Sequence, residues 1–346
     1  MNMHEKYLSR CIQLAENGLG TTYPNPLVGS VIVCKDKIIG EGWHQFPGGP
    51  HAEVAAVNSV ADKSLLNEST LYVNLEPCSH FGRTPPCADM IISLQIPEVV
   101  IGTEDPNPIV AGNGIRKLRE AGIKVTSRIL HEECLKFNRR FFTFHQQKRP
   151  YVILKWAESA DGFVSPHKKE DRAPVWISNR YSRQLVHKWR TEESAVMVGT
   201  NTAVVDNPRL DARMWTGKNP TRVVIDRSGK VPSDSYLLDG KIKTIVICGA
   251  ERQSLSENVI FEKAAFGDCL PQEILEILFR HQLQSVIIEG GSHTLQAFLN
   301  AGLWDEIRRF SSNVIIGEGT AAAQLPAGTI VETENILGDQ LIIMYK

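Results

Sequence analysis

The sequence lacks any long hydrophobic run. No apolar stretch in its 346 residues reaches the roughly 18–20 residues needed to cross a bilayer, so no membrane-spanning helix is expected. It also lacks net charge. Lys+Arg number 38 and Asp+Glu 39, a balance of −1. That argues against a nucleic-acid-binding surface spread over the whole molecule, although it leaves room for a local anion site. Cysteines are few and odd in number, at seven. A disulfide framework is therefore not expected, and a cytoplasmic location is. The opening stretch MNMHEKYLSRCIQLAENG carries acidic residues and no apolar core, unlike a signal peptide. Instead it reads as an amphipathic helix with Tyr7, Leu8, Cys11, Ile12 and Ala15 on one face. No internal repeat or low-complexity tract is visible. What is present is an ordinary globular composition, 42% hydrophobic and 22% charged. The length exceeds one average domain, and two are expected.

Residues 1–147 alternate strand and helix patterns. VGSVIVCKDKIIGEGW reads as a hairpin with its polar turn at Lys35–Lys37, followed by a helix from Ala52 and a strand at 70–75. A loop rich in proline and cysteine leads to a helix near 87–95. A strand at 98–102, a helix through Arg119, a strand at 123–127 and a helix from about 131 follow. The polar segment HQQKRP at 145–150 interrupts this series and places a domain boundary there. Residues 148–346 then run their own series. Strands are expected at 151–159, 194–199, 222–226, 243–248, 285–289, 306–310 and 340–345, and helices at 179–190, 271–281 and 292–301. Both halves thus read as α/β domains.

GPHAEVAAVNSV at 49–60 opens an apolar helix with an imidazole, His51, and a carboxylate, Glu53. Downstream, LEPCSHFGRTPPC places Cys78 and Cys87 at the two ends of a tight polar loop, and Cys87 opens a helical stretch. A helix N-terminus lowers a thiol pKa. Thiolate and neutral imidazole are preferred zinc ligands, and three of them leave the fourth tetrahedral position open. Zinc lowers the pKa of a bound water toward 7, and Glu53 is placed to move its proton. Zinc-dependent base deaminases carry His-x-Glu and then Pro-Cys-x-x-Cys, the Glu being acid/base and not ligand. Here the first half matches, but eight residues separate the two cysteines. The longer loop carries His80, Arg83 and Thr84, groups suited to a phosphorylated substrate. Singly, each motif has an ordinary reading as a surface or core group, and jointly a structural zinc site is the competing one.

In the second half, GEGTAA at 317–322 fits a dinucleotide fingerprint but has no helix after it before Pro326, and is rejected. VIIEGGSHTLQAFLNAG runs from a buried strand through Gly290-Gly291 into a helix with Ser292 and Thr294 in its first turn. Such a helix start can cradle phosphate, or be a plain strand–turn–helix. Lys155, Asp161, Thr202, Asp206 and Arg213 fall at strand ends, where α/β clefts form. Each is also readable as a cap or surface group, and Asp206-Asn207-Pro208 is a standard turn sequence.

With NPLVGSVIV, GWH…GGPHAE, LEPCSHFGRTPPC, DPNPIVAGNGI, KWAESADG, WISNRYSRQLVHKWR, VGTNTAVVDNPRL and IIEGGSHT, the chain resembles the bifunctional deaminase/reductase family of riboflavin biosynthesis along essentially its whole length. The resemblance implies a cytidine-deaminase-like α/β/α sandwich in residues 1–147. In 148–346 it implies a dihydrofolate-reductase-like α/β domain that binds NADPH without the fingerprint. Two reactions are implied. The first is hydrolytic deamination of a diaminopyrimidinone ribosylamine 5′-phosphate. The second is NADPH-dependent reduction of its ribosyl group to ribityl. His51, Cys78 and Cys87 take the zinc-ligand positions, one zinc per chain, and Glu53 the proton shuttle. Asn25, His44, His80, Arg83, Asp105 and Asn107 fall where the family lines the deaminase pocket. Ala157, Trp176, Thr202, Asp206, Ser228, Gly291, Ser292, His293, Thr294, Leu295, Gln296 and Ala297 fall at NADPH positions. Arg190, Leu210, Arg213 and Glu289 fall at reductase substrate positions, with Lys155 as an acid or orienting group. Pro174 stands where the family often has a serine, so one substrate hydrogen bond is missing or comes from backbone. SADG replaces the family's SLDG, a change of packing and not of chemistry. The expected partners are small phosphorylated pyrimidines and further copies of the chain, as a dimer or tetramer, with neither nucleic acid nor membrane.

Three readings compete. A nucleic-acid base editor would need a basic groove and show salt-sensitive RNA binding. A zinc scaffold would hold metal without turnover. A deaminase with a degenerate second domain has only Pro174 in its favour.

Overall fold

The computed structural model describes residues 2–79, 81, 85–106, 111–167, 175–254, 256–326 and 330–346. The expected groups His80, Arg83, Thr84, Asn107 and Pro174 lie outside them. The chain forms two compact units, residues 1–147 and 148–346.

The first unit begins with α1 (Met3–Glu16), whose start is closed by a capping box between Asn2 and Glu5. Its buried face is Tyr7, Leu8, Cys11, Leu14 and Ala15. Leu14 therefore replaces the expected Ile12, which is only half-buried. Strands β1 (Gly29–Cys34) and β2 (Lys37–Trp43) form the expected hairpin. Lys35 and Asp36 both have positive φ (49° and 61°), as a two-residue turn matching the strand twist requires. The unit continues through α2 (Ala52–Ser59), β3 (Thr70–Leu75), α3 (Cys87–Ser93), β4 (Glu98–Thr103), α4 (Asn113–Glu120), β5 (Lys124–Ser127), α5 (His131–Phe137) and α6 (Arg139–Gln147).

Its sheet has the order β2-β1-β3-β4-β5, with β3, β4 and β5 parallel. Alternation along each strand divides the core between the two faces. Leu71, Val73, Val99 and Ile101 pack under α2, α3 and α4 through Ala56, Val57, Ala88, Ile91, Ile115 and Leu118. Tyr72 and Val100 face the other way, onto Tyr7, Leu8, Cys11 and Leu14 of α1. The result is a three-layer α/β/α sandwich in which α2 and α3, the helices beginning beside the expected zinc ligands, share one face.

The second unit runs β6 (Tyr151–Glu158), β7 (Phe163–Pro166), α7 (Arg180–Glu192), β8 (Ala195–Val198), α8 (Thr200–Asp206), β9 (Thr221–Ile225), β10 (Thr244–Cys248), β11 (Val259–Lys263), α9 (Leu270–Arg280), β12 (Ser285–Ile288), α10 (Ser292–Asn300), β13 (Glu306–Ser311), β14 (Gly319–Ala321), β15 (Ile330–Ile336) and β16 (Asp339–Tyr345). Nine strands form one sheet, ordered β11-β10-β9-β8-β12-β6-β13-β16-β15. The first seven are mutually parallel, and β16 and β15 close the edge antiparallel. Central strands such as AVMV and SVII are buried throughout, because parallel sheets are covered on both faces. Val152, Leu154, Val286 and Ile288 face α9 and α10, while Ile153, Val196 and Ile287 face Val186 and Trp189 of α7. The GEGTAA segment supplies β14, which pairs with β7, so no helix follows its glycines. All seven cysteines are free thiols. Among the described residues no helix is long and apolar enough to cross a membrane.

Candidate functional site

His51 is the N-cap residue of α2, with extended backbone (φ −67°, ψ 159°). Its carbonyl accepts from Ala55 N at 2.9 Å, starting the helix. Its side chain is free of capping duty, and Nδ1 points between two sulfurs, 3.5 Å from Cys78 Sγ and 3.3 Å from Cys87 Sγ. Cys87 is fully buried at the start of α3, and its N–H donates to Cys78 Sγ at 3.3 Å. All three ligand atoms lie within 4.8 Å of one another. Zinc bonds of about 2.0–2.3 Å in tetrahedral array put neighbouring ligand atoms roughly 3.5–3.8 Å apart, so the donor set fits that ion. The Cys87 thiol, and then His51, pull the Cys78 pKa down, whereas the same thiol–thiolate bond and burial hold Cys87 up. Zinc takes its cysteine ligands as thiolates, so metal binding would release thiol protons.

Glu53 lies in the first turn of the same helix and is 3% exposed. Burial, with the Cys78 charge, raises its pKa to about 7. A carboxyl near neutrality beside a zinc-type donor set is suited to taking up and giving back a proton. His44 is buried next to His51, the rings edge-on at 5.7 Å. Its Nδ1 donates to Pro50 O (3.0 Å), and its Nε2 accepts from Asn25 Nδ2 (2.9 Å). These partners specify a neutral ring, and burial lowers its pKa in agreement. The structure thus brings Asn25, His44, His51, Glu53, Cys78 and Cys87 together. The Asp105 N–H is held by Glu76, a buried carboxylate that motif reading passes over.

In the second unit three of the expected residues, Lys155, Arg190 and Glu289, meet just past the end of β12. Glu289, just past β12, receives a two-pronged contact from Arg190 of α7, Nε to Oε1 and Nη2 to Oε2, both 2.7 Å. Lys155 of β6 stands 3.6 Å from the same carboxylate. Burial opposes ionisation of Glu289, but Arg190 and then Lys155 outweigh it and hold its pKa near 2. Burial lowers the Lys155 pKa against the pull of Glu289. Arg190 also donates to Asp211 O at 2.9 Å, and Arg213 pairs with the Asp211 carboxylate. His187, one turn before Arg190, is buried in the same group. Neither His187 nor Asp211 is foreseen from sequence. The signal for His187 was its spacing of three from Arg190 on one helix face.

Beside this group, Gly290 has φ 141°, a conformation open to glycine. Its carbonyl accepts from Gly199 N at 2.8 Å, which brings the starts of α8 and α10 together. Neither start has a side-chain cap, and the Thr202 hydroxyl lies against Gly290 and Gly291. Ser292 Oγ donates to Ala321 O (2.6 Å), and Gln296 Oε1 accepts from Gln324 N (2.9 Å). Among the other expected positions, His293 is exposed, Thr294 approaches Gly199, and Ala157, Asp206 and Ala297 are half-buried. Leu295 packs in the core with Phe298, and Leu210 is also buried. Ser228 is exposed in the turn after β9, and Trp176 is exposed under the Arg183 guanidinium, 4.4 Å from its ring centre. Asp161 lies apart in a turn, where its carboxylate accepts from Ile316 N and Gly317 N.

Residues 1–103 match the family model of the cytidine and deoxycytidylate deaminase zinc-binding region, and residues 150–334 match that of the RibD C-terminal domain. Fold and site define a zinc-type deaminase joined on one chain to a reductase. The riboflavin biosynthesis protein RibD of Aquifex aeolicus (strain VF5) is 39% identical over 99% of this chain and 98% of its own. That of Escherichia coli (strain K12) is 33% identical over 90% and 88%. The crystal structure of a diaminohydroxyphosphoribosylaminopyrimidine deaminase/5-amino-6-(5-phosphoribosylamino)uracil reductase from Thermotoga maritima superposes with a TM-score of 0.90 at 38% identity, covering 99% of this chain and 98% of that one. Acinetobacter baumannii RibD gives 0.90 at 33% identity, with the same coverage. The chain belongs to the RibD family, the bifunctional zinc- and NADPH-dependent deaminase/reductases of riboflavin biosynthesis.

Proposed function

We propose that residues 1–147 deaminate a diaminohydroxyphosphoribosylaminopyrimidine and that residues 148–346 reduce the ribosyl side chain of the resulting 5-amino-6-(5-phosphoribosylamino)uracil. His51 Nδ1, Cys78 Sγ and Cys87 Sγ hold the zinc, which supplies a Lewis acid and lowers the pKa of water bound to it. Glu53 holds the proton that passes to a ring nitrogen and then to the departing amine. Asn25, His44 and Asp105 line the pocket, and the family resemblance assigns His80, Arg83 and Asn107, which lie outside the described residues, to the same substrate. The His44 ring is kept neutral by Pro50 and Asn25 and so adds no charge beside the metal.

In the reductase, Arg190, Glu289 and Lys155 bind and orient the ribosyl group, with Leu210 and Arg213 beside them and Pro174 at a position without a side-chain donor. The uncapped helix starts at Gly199 and Gly291 offer N–H groups to the NADPH phosphates. Thr202, Asp206, Ala157, Trp176, Ser228 and the 291–297 segment complete that site. The buried Leu295 takes part through its backbone and by supporting the helix. The protein works in the cytoplasm as a dimer or tetramer.

The observation that carries the reading is a buried carboxylate in the first turn of the helix that His51 opens, beside a His/Cys/Cys donor set. Glu53→Gln tests it. Zinc content should match wild type, because Glu53 is not a ligand. Ammonia release from the diaminopyrimidinone should fall by about 10²–10⁴-fold. NADPH oxidation with already deaminated substrate should be unchanged. Deamination at the wild-type rate in this variant would remove Glu53 from the reaction.

A further inference from the structure

Glu76 follows β3 directly and precedes Pro77 and Cys78. It is 4% exposed, yet no cation pairs with it among the described residues. Its two oxygens are occupied by four backbone N–H groups instead. Oε2 accepts from Asp105 (3.2 Å) and Gly112 (2.9 Å), and Oε1 from Gly114 (2.9 Å) and Ile115 (3.1 Å). A carboxylate offers about four lone-pair sites, so its accepting capacity is filled. The donors lie on both sides of residues 106–111. Gly114 and Ile115 are the second and third residues of α4, whose N-cap, Gly112, has no side chain to cap them. Glu76 does from another element what a capping side chain does locally. The contact is close. A Cβ on Gly114 would come within 2.1 Å of Pro77 O, so the start of α4 rests directly on the turn that delivers Cys78.

We propose that Glu76 is a positioning residue for the deamination, clamping Asp105 and the start of α4 onto the turn bearing Cys78. The proposal rests on the reading of His51, Glu53, Cys78 and Cys87 as the deaminase centre and of Asp105 as a pocket residue. Through this clamp Asp105 keeps a fixed distance from the metal-binding trio. The geometry calls for a carboxylate specifically. A glutamine would present one acceptor oxygen and an NH₂ group facing other N–H donors, leaving buried donors unsatisfied. Asp105 would shift, while His51 and Cys87 stay with α2 and α3 and Cys78 stays tied to the start of α3 by the N–H groups of Cys87 (to Sγ, 3.3 Å) and Ala88 (to O, 3.1 Å).

The test uses the full-length chain with Glu76→Gln, Glu76→Asp, Asp105→Asn and the Glu76→Gln/Asp105→Asn double variant. Zinc content, KM and kcat for the diaminopyrimidinone, and NADPH oxidation with deaminated substrate are measured on each. Glu76→Gln should keep zinc and reductase activity and raise KM on the order of tenfold or more, with kcat falling less. Glu76→Asp keeps both oxygens but sits one methylene short, and should recover part of the loss. The double variant should lose no more than the worse single one, because both changes act through Asp105. A wild-type KM in Glu76→Gln, or losses that simply multiply in the double variant, would overturn the proposal. A fall in zinc and kcat together at unchanged KM would also overturn it, making Glu76 a structural group only. If Glu76→Gln fails to fold, Glu76→Asp decides by the same KM criterion. Full deamination in Glu53→Gln, assayed beside them, would bring down the reading of the centre itself.

Discussion

His187 sits buried on α7 among Arg190, Arg213 and Asp211. Burial, and then the two guanidiniums, hold its pKa at about 4, against an ordinary value of 6.5. The unfolded chain therefore binds this proton more readily than the folded one. The stability that His187 contributes is complete above about pH 6.5 and is lost as the pH falls toward 4, at most about 3 kcal/mol in all. Glu289, held near 2 against an ordinary 4.5, keeps its contribution until the pH drops below that ordinary value. Between pH 6.5 and 4.5 the histidine is thus the one of the two that titrates. Melting temperature measured across this window should fall on acidification in wild type and fall less in His187→Gln. Equal slopes in the two proteins would refute the assignment. Individual residues also differ in how far a sequence discloses them. His51 and Glu53 are legible because a helix start and a spacing of two define both. Cys78 and Cys87 are legible as the ends of one loop. Glu76 is not, because its partners are backbone groups 29 to 39 residues away and backbone leaves no trace in a motif. Leu295 shows the converse: its motif position marks a cofactor contact, while its side chain belongs to the core.

Among the elements, α7 carries both His187 and Arg190, and its start is fixed by Asn179. Asn179 Oδ1 accepts from Tyr181 N (2.8 Å) and Ser182 N (3.0 Å), while Nδ2 donates to Ile336 O (2.6 Å) beyond the helix. Asn179→Ala removes a cap and a tie to β15 together. It should cost about 1–2 kcal/mol, the upper part of the range for a lost N-cap, read as a lower unfolding midpoint in denaturant. It should also raise the KM of the reductase. An unchanged midpoint would show that the cap adds nothing to the second unit. Strands with continuous apolar runs, such as β8, β10 and β12, were legible, as were helices with a long amphipathic face. Elements that tertiary pairing creates were not. The α8 helix is seven residues of TNTAVVD, rich in β-branched side chains that disfavour helix. The β15 strand, IVETENI, reads as a polar loop and is a strand because β16 pairs along it. An edge strand needs polar side chains facing solvent, which erases the pattern that would announce it.

At the scale of the whole molecule, two units with separate cores carry two chemistries, and their demands differ. One unit holds a zinc-type thiolate and imidazole set, the other an ion-pair group and uncapped helix starts. A strong zinc chelator should therefore abolish ammonia release while sparing NADPH oxidation with deaminated substrate, and added zinc should restore the first. Loss of both activities at the same chelator concentration would contradict that independence. The boundary after residue 147 was legible because a polar segment ending in proline interrupts two regular series, each with a strand–helix rhythm of its own. The composition could not separate the units' roles, since near-neutral charge suits both. Because the two units are translated as a single polypeptide, every deaminase made brings one reductase with it. The supply of the pathway intermediate and the capacity to consume it then rise and fall together with expression, and no change in gene dosage alone can set one against the other.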